Sequence, residues 1–149
     1  MCYDYARMLK DIEMLTDNYN IIERFSIGKS VMQKDIPCLK IGKGKKKLLL
    51  SGAYHGLEYL TAAFLIKFVS NYTVKLMTET EYFGYDIKRL YSDITVYIVP
   101  MVNPDGVDIA LNGLDITNEY HRHLISMVGI HSFNHVWLSL IHISEPTRP

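Results

Sequence analysis

The hydrophobic pattern of the chain changes its period between residues 45 and 68, and this change limits the possible fold more than any other feature. Residues Leu48–Ala53 form a short apolar run after a lysine- and glycine-rich turn, which predicts a strand buried on both faces. Downstream, apolar residues recur at helical spacing and predict a helix that runs to about Tyr72. Its predicted buried stripe consists of Leu57, Leu60, Phe64, Leu65 and Phe68.

His55 and Glu58 lie at the junction between this strand and this helix. The carboxyl end of a strand, with the start of the next helix, is where open α/β sheets place their sites. An imidazole and a carboxylate at this spacing can converge on one ion, and this pair of donors suits zinc, with bonds of about 2.0–2.2 Å. Gly56 permits a tight turn between them. Because His-x-x-Glu is short and common, a loop histidine beside an ordinary first-turn acid remains the alternative at this point.

A second buried strand is predicted at Asp93–Val102, which is rich in β-branched residues. It ends in Asn103-Pro104-Asp105-Gly106, a sequence typical of a turn. Two apolar strands with a helix between them predict a right-handed parallel crossover. His55 and Asn103 are therefore expected at the same rim of the sheet.

The rest of the chain contains shorter predicted elements and no internal repeat. Residues 107–137 lack a long apolar run, and we expect mainly loops there with one short helix. The further predicted elements are a surface helix at Tyr3–Tyr19, hairpin strands at Ile21–Ile27 and Ile36–Ile41, a helix at Tyr85–Leu90 and a helix at Asn118–Met127.

The composition is that of one ordinary globular domain of 149 residues, with 48% apolar residues. Lys plus Arg and Asp plus Glu both total 16, so the charge balance gives no indication of binding to nucleic acid or to a membrane. The basic run Lys43–Lys47 is interpreted as a solvated turn. Cys2 and Cys38 are too few for a disulfide scaffold. With no recognisable signal peptide or membrane span, a cytoplasmic location is expected, and the oligomeric state stays open.

Two motifs make the chain resemble the zinc carboxypeptidases of the carboxypeptidase A type. They are His55-Gly56-Leu57-Glu58 and Val99-Pro100-Met101-Val102-Asn103-Pro104-Asp105-Gly106-Val107, each after a buried strand. The segments Ser26–Ser30 and Ile36–Gly42 resemble that family's entry hairpin. Within the family the chain is most similar to the bacterial γ-D-glutamyl-diaminopimelate peptidases, because Asn112-Gly113 and a downstream Trp follow in similar order.

The resemblance implies an α/β fold, with residues 1–137 as a truncated catalytic domain. That domain would hold the N-terminal part of a mixed, largely parallel sheet flanked by helices in three layers. His55 and Glu58 match the family's first two zinc ligands. The family's third ligand, general base and oxyanion-stabilising arginine would lie beyond Trp137. The parent enzyme is thus expected to hydrolyse peptide or isopeptide bonds, and this chain is expected to be inactive.

The last segment, Leu138–Pro149, resembles the translation of a sequencing-adapter oligonucleotide, so we expect a non-native tail. A genuine short apolar tail is the alternative. The reading frame of the source gene past Trp137 distinguishes the two. Continuation through an arginine, a histidine and a glutamate would support the family interpretation. A genuine stop at Pro149 would refute the interpretation of the tail as a translated adapter.

Three other interpretations remain open. The late histidines His121, His123, His131 and His135 could form a second metal site, although solvated or hydrogen-bonded side chains explain them more simply. An amidohydrolase of the aspartoacylase and succinylglutamate desuccinylase kind also begins its zinc site with His-x-x-Glu, but the Asn-Pro-Asp-Gly motif and the hairpin favour a peptidase. A non-catalytic binding fragment is the third.

Overall fold

A computed structural model describes residues 2–128 of the chain, with side chains described as far as residue 126. His131, His135 and the predicted tail at 138–149 lie outside the described residues. A 3₁₀ turn at Gly56–Glu58 precedes α2. The helices and strands are α1 Tyr5–Asn18, β1 Ile22–Lys29, β2 Asp35–Ile41, β3 Lys46–Ser51, α2 Tyr59–Thr78, β4 Glu81–Tyr82, β5 Tyr85–Asp86, α3 Ile87–Asp93, β6 Ile94–Val99, α4 Pro104–Asn112 and α5 Glu119–Val128.

Four of the strands form a mixed sheet in the order β1-β2-β6-β3, which confirms the α/β class. The hairpin pairs β1 with β2 antiparallel, and β2 also runs antiparallel to β6. Strand β3 pairs with β6 in parallel, with Leu48 opposite Val96. The sheet was predicted to be largely parallel, but within the described part only β3 and β6 are parallel. The reason is that the hairpin brings β2 against β6 in the opposite direction.

The core lies between one face of this sheet and helices α1 and α2. Asp4 caps α1 by accepting a hydrogen bond from the Arg7 backbone N–H at 2.8 Å. Met8 of α1, Val69 of α2 and Ile98 of β6 are fully buried in one cluster. Burial of a side chain of this size stabilises the fold by about 1.5–3 kcal/mol. None of the helices within residues 2–128 is both long and apolar enough to cross a membrane.

The prediction that β3 is buried on both faces was wrong. Within residues 2–128, strand β3 lies at the edge of the sheet, and the side chains of Leu48 and Leu49 are 46% and 64% exposed. An apolar run identifies a strand, but it does not show whether a further strand covers the far side. Among the described strands, β6 is the only neighbour of β3.

The buried stripe of α2 also differs from the prediction. Leu57, Leu60 and Phe64 are exposed, while Leu65 is buried as predicted. Helix α2 is apolar on most of its circumference, so spacing alone does not identify the inner face. The helix also ends six residues later than predicted, at Thr78. The side chains that it buries are Ala62, Leu65, Ile66, Val69, Thr73 and Leu76.

Helix α4 was not predicted, and Asn-Pro-Asp-Gly starts this helix instead of forming an isolated turn. Asn103 is the N-cap and Pro104 stands in the first helical turn, while Gly113 follows the last residue. These are helix boundary signals, so the sequence contained the information. The hairpin, α1 and the short helix α5 were predicted correctly. The predicted helix at 85–90 begins at Ile87, because Tyr85–Asp86 pairs with β4.

Strand β3 has no partner on its outer side among the described strands, and this edge should cause the chain to associate, because unpaired backbone groups flanked by apolar side chains promote edge pairing. We expect Leu49→Lys to shift the purified chain toward the monomer in size-exclusion chromatography with light scattering. Leu60→Lys is the matched control, because Leu60 is equally exposed, at 64%, but lies on α2. A monodisperse wild-type monomer, or an equal effect of both variants, would contradict the edge-pairing prediction.

Thr73 on α2 is fully buried, and its hydroxyl has no hydrogen-bond partner among the described residues. Thr73→Val replaces this hydroxyl with a methyl group of similar size, so the free energy of unfolding should rise by about 1 kcal/mol. Urea denaturation measures the change. Thr78→Val is the control, because the exposed Thr78 hydroxyl donates to the Val74 carbonyl at 2.9 Å. An equal or lower stability of Thr73→Val would refute the prediction.

Candidate metal centre

His55 and Glu58 lie side by side at the carboxyl end of β3, as the sequence predicted. The strand ends at Ser51, the chain turns through Gly52–Tyr54, and His55 directly precedes the 3₁₀ turn that contains Glu58. His55 Nδ1 lies 2.6 Å from Glu58 Oε1. The His55 backbone N–H also donates to Glu58 Oε2 at 3.4 Å. The carboxylate therefore folds back over the start of the turn and is held against the ring.

The pair has the donors and the access that a zinc ion requires. Its side chains are 27% and 39% exposed, so an ion can reach them from solvent. Two ligands of one tetrahedral zinc lie about 3.3 Å apart for bonds of about 2.0–2.1 Å. The 2.6 Å separation of His55 Nδ1 and Glu58 Oε1 is thus a hydrogen bond that must open slightly to admit the ion. Within residues 2–128, no group of three His, Cys, Asp or Glu side chains is placed to hold a metal.

The backbone before His55 is held in an unusual conformation. Ala53 is buried and has a φ of +51°, a region that residues other than glycine rarely adopt. Its N–H donates to Thr61 Oγ1 at 2.7 Å, and its carbonyl accepts from the Asn103 backbone N–H at 3.0 Å. The Thr61 hydroxyl donates in turn to the Glu58 carbonyl at 2.7 Å. These bonds connect the loop to α2 on one side and to the end of β6 on the other.

Asn103 reaches the same rim, as predicted. It is 1% exposed, and its side-chain amide donates one hydrogen bond and accepts another. Nδ2 donates to the Tyr54 carbonyl at 3.1 Å, and Oδ1 accepts from the Gly106 backbone N–H at 2.9 Å. The loop that carries His55 is thereby joined to the first turn of α4.

The 3₁₀ turn packs directly on α4 through two glycines. A Cβ atom placed on Gly56 would lie 2.3 Å from the Gly106 carbonyl oxygen and 3.2 Å from the Ala110 Cβ. A Cβ atom on Gly106 would lie 2.4 Å from Asn103 Nδ2. The turn can approach α4 this closely because Gly56 has no side chain, and the absence of one at Gly106 leaves room for the Asn103 amide.

Asp105 is a buried acid of this region whose role the sequence analysis missed. Its carboxylate accepts from the Ser30 hydroxyl and from the Met32 backbone N–H, both at 2.9 Å. Lys34 Nζ lies 3.6 Å from it and also pairs with Asp108. Asp105 thus ties the loop between β1 and β2 to α4. An acid in the first turn after an Asn cap was the available signal.

The described late histidines do not join the pair. His121 is buried, and its Nδ1 accepts from the Asp115 backbone N–H at 2.8 Å, which is the hydrogen-bonded alternative considered above. Hydrogen bonds from Thr117 hold the pKa of the Asp115 carboxyl below its usual range. His123 is exposed on α5. A second metal site at 131–135 stays untested, because these residues lie outside the described part.

Comparison with known proteins decides the family. A sequence profile described as zinc carboxypeptidase matches residues 8–139. The chain belongs to the zinc carboxypeptidase family. Gamma-D-glutamyl-L-diamino acid endopeptidase 1 of Lysinibacillus sphaericus is 36% identical to it over 111 residues, which are 74% of this chain and 28% of that protein. A zinc carboxypeptidase of Saccharothrix mutabilis subsp. capreolus is 29% identical over 102 residues, or 64% of this chain and 22% of that protein.

Solved structures agree with this zinc carboxypeptidase fold. Bovine thrombin-activatable fibrinolysis inhibitor, in complex with tick carboxypeptidase inhibitor, superposes with a TM-score of 0.61 at 27% identity, covering 74% of this chain and 34% of that one. Carboxypeptidase A of Helicoverpa armigera also gives 0.61, at 20% identity, covering 75% of this chain and 27% of that one. The chain spans less than a third of the length of the curated relatives it matches.

The close packing of the two glycines predicts a large effect of one methyl group. Gly56→Ala forces the 3₁₀ turn away from the Gly106 carbonyl and should lower the free energy of unfolding by about 1–3 kcal/mol, the usual cost of overpacking. Urea denaturation measures the loss. Leu57→Ala, at the next and exposed position, should change stability by no more than about 0.5 kcal/mol. Equal stability of both variants would show that the turn does not rest on α4.

Proposed function

We propose that this chain forms the N-terminal part of the catalytic domain of a zinc metallopeptidase, in which His55 and Glu58 are two of the protein ligands of the zinc. The observation that carries this proposal is the convergence of His55 Nδ1 and Glu58 Oε1 at the carboxyl end of β3. Membership of the zinc carboxypeptidase family supports it. The nitrogen and oxygen donors are those that zinc takes in catalytic sites.

The role of the described residues is to hold and orient the ion. When bound, zinc supplies Lewis acidity toward a carbonyl oxygen and lowers the pKa of a coordinated water. The hydrogen bond from the His55 N–H to Glu58 Oε2 fixes the side from which the carboxylate approaches. Because both side chains are partly exposed, an ion that they hold would be accessible to water and substrate.

We infer that the 149-residue chain by itself does not catalyse hydrolysis. The resemblance places the third ligand, the general base and the oxyanion-stabilising arginine beyond Trp137. Within residues 2–128 no third His, Cys, Asp or Glu completes a metal group with the pair. General acid–base catalysis alone typically contributes about 10²–10⁴-fold, so its loss together with charge stabilisation should reduce turnover to background.

For the complete enzyme we propose peptide or isopeptide bonds as substrates, including those of bacterial cell-wall peptides. The support is the relative of Lysinibacillus sphaericus, whose name describes an endopeptidase for gamma-D-glutamyl-L-diamino acid bonds. Its match covers 74% of this chain, including both motifs that carry the family resemblance. The match to zinc carboxypeptidases also favours a peptidase over an amidohydrolase of the aspartoacylase kind.

This chain should bind zinc weakly but should not catalyse hydrolysis. Competition with a chromogenic chelator should detect weak zinc binding that His55→Ala and Glu58→Gln both abolish, because each removes one of two ligands. His123→Ala, at an exposed histidine on α5, should leave the zinc affinity unchanged. The wild-type chain with zinc should not cleave a γ-D-glutamyl-diaminopimelate peptide or a panel of C-terminal-residue peptides. Zinc affinity that survives His55→Ala would refute the proposed site, and zinc-dependent turnover lost in His55→Ala would refute the proposed inactivity.

A further inference from the structure

We propose that Asn103 is a positioning residue for the metal centre, which holds the loop before His55 in the conformation that directs His55 and Glu58 to one point. The inference rests on the proposed function, in which these two residues are zinc ligands. Asn103 acts through Ala53 and Tyr54, the two residues that precede His55.

The first support is that Asn103 binds two successive carbonyls of the loop. Its backbone N–H donates to the Ala53 carbonyl at 3.0 Å, and its Nδ2 donates to the Tyr54 carbonyl at 3.1 Å. Both carbonyls lie on the short connection between β3 and His55. A change in the direction of either peptide group would rotate the backbone that carries the imidazole.

The second support is the chemistry of the side chain. The Gly106 N–H can only donate, so the oxygen of the Asn103 amide must face it, and the NH₂ group then faces the Tyr54 carbonyl. Asparagine presents a donor and an acceptor on one short planar group. Aspartate and serine can also cap a helix, but ionised aspartate cannot donate and the serine hydroxyl is one bond shorter. The capping and loop-holding roles can therefore be separated by substitution.

The third support is that the held conformation is one the loop would not keep unaided. Ala53 has a φ of +51°, and such a conformation persists only where the surroundings impose it. Asn103 and Thr61 bond the carbonyl and the N–H of Ala53 from opposite sides. The contact between Gly56 and Gly106 prevents the turn from moving toward α4. If the bond to the Tyr54 carbonyl is removed, the loop keeps its bonds at Ala53 and the contact of Gly56 with α4. It loses the group that orients the peptide before His55.

Asp105 provides a matched control within the same helical turn. It is buried like Asn103, but its bonds run to Ser30 and Met32 in the loop between β1 and β2. Asp105→Asn should therefore loosen the same helix start without a direct effect on the loop before His55. The two residues divide the Asn-Pro-Asp-Gly motif into one side that faces the metal centre and one that faces the hairpin.

The test uses the full 149-residue chain in four forms: wild type, Asn103→Asp, Asn103→Ser and Asp105→Asn. Zinc affinity is measured by competition with a chelator, and amide hydrogen exchange is measured without metal. The Glu58 amide, which bonds to the His55 carbonyl at 3.0 Å, reports on the metal-site turn, and the Met32 amide reports on the hairpin loop. The amides of β6 report on the fold as a whole.

We expect both Asn103 variants to weaken zinc binding about tenfold. Removal of a group that orients a metal ligand typically has an effect of this size. Their Glu58 amide should exchange faster while the β6 amides stay protected. Asp105→Asn should accelerate exchange at Met32 and keep the wild-type zinc affinity. If Asn103→Asp loses β6 protection, the same comparison is made with Asn103→Ser, which keeps a capping hydroxyl.

Two results would overturn the positioning role. Wild-type zinc affinity and Glu58 exchange in the Asn103 variants would show that the bond to Tyr54 does not control the loop, while the proposed zinc site would stand. An equal loss of affinity in Asp105→Asn would show a general effect of loosening α4. Failure of the proposed function is distinguished by the wild type, because its zinc affinity would then equal that of His55→Ala.

Discussion

The parallel pairing of β3 with β6 is the constraint on which the rest of the candidate site depends. The ladder brings Ser51 opposite Val99, and backbone hydrogen bonds continue past the strand ends from Val102 to Gly52 and from Asn103 to Ala53. Parallel strands deliver their carboxyl ends to one rim. The two connections that follow are therefore neighbours, and they carry the ligand pair and the start of α4 to the same place.

Stability and site geometry come from different interactions. The apolar cluster between the sheet and helices α1 and α2 supplies the burial that holds the fold, with Met8 and Ile98 fully enclosed. The rim is held by polar groups instead, because Asn103 and Asp105 use buried hydrogen bonds to join α4 to two different loops. Hydrogen bonds impose distance and direction, whereas apolar contacts do not. The placement of His55 and Glu58 thus follows from a few polar contacts built on a less specific core.

The errors of sequence interpretation have separate physical causes. Leu49 lies in an apolar run that predicts burial, yet it is exposed because the described sheet ends at β3. Leu60 and Phe64 fit a helical stripe, but α2 is apolar over most of its surface and the contact with the sheet selects the stripe through Leu65 and Val69. Helix α4 is a different case. Asn103 at the cap and Pro104 in the first turn are signals of a helix start, but the Asn-Pro-Asp-Gly sequence is also typical of a turn and was interpreted as one.

By itself the sequence determined the four strands of the main sheet, most of the helices, the His55 and Glu58 pair and the family motifs, because each depends on residues close together in the chain. Periodicity, caps and a spacing of three residues are local properties. Only the tertiary structure decided that β3 is the edge of the described sheet, which face of α2 is buried, and that Asn103 lies against the loop before His55 while Gly106 lies against the turn after it. These facts depend on contacts between segments far apart in the sequence, and local patterns do not specify how such segments pack.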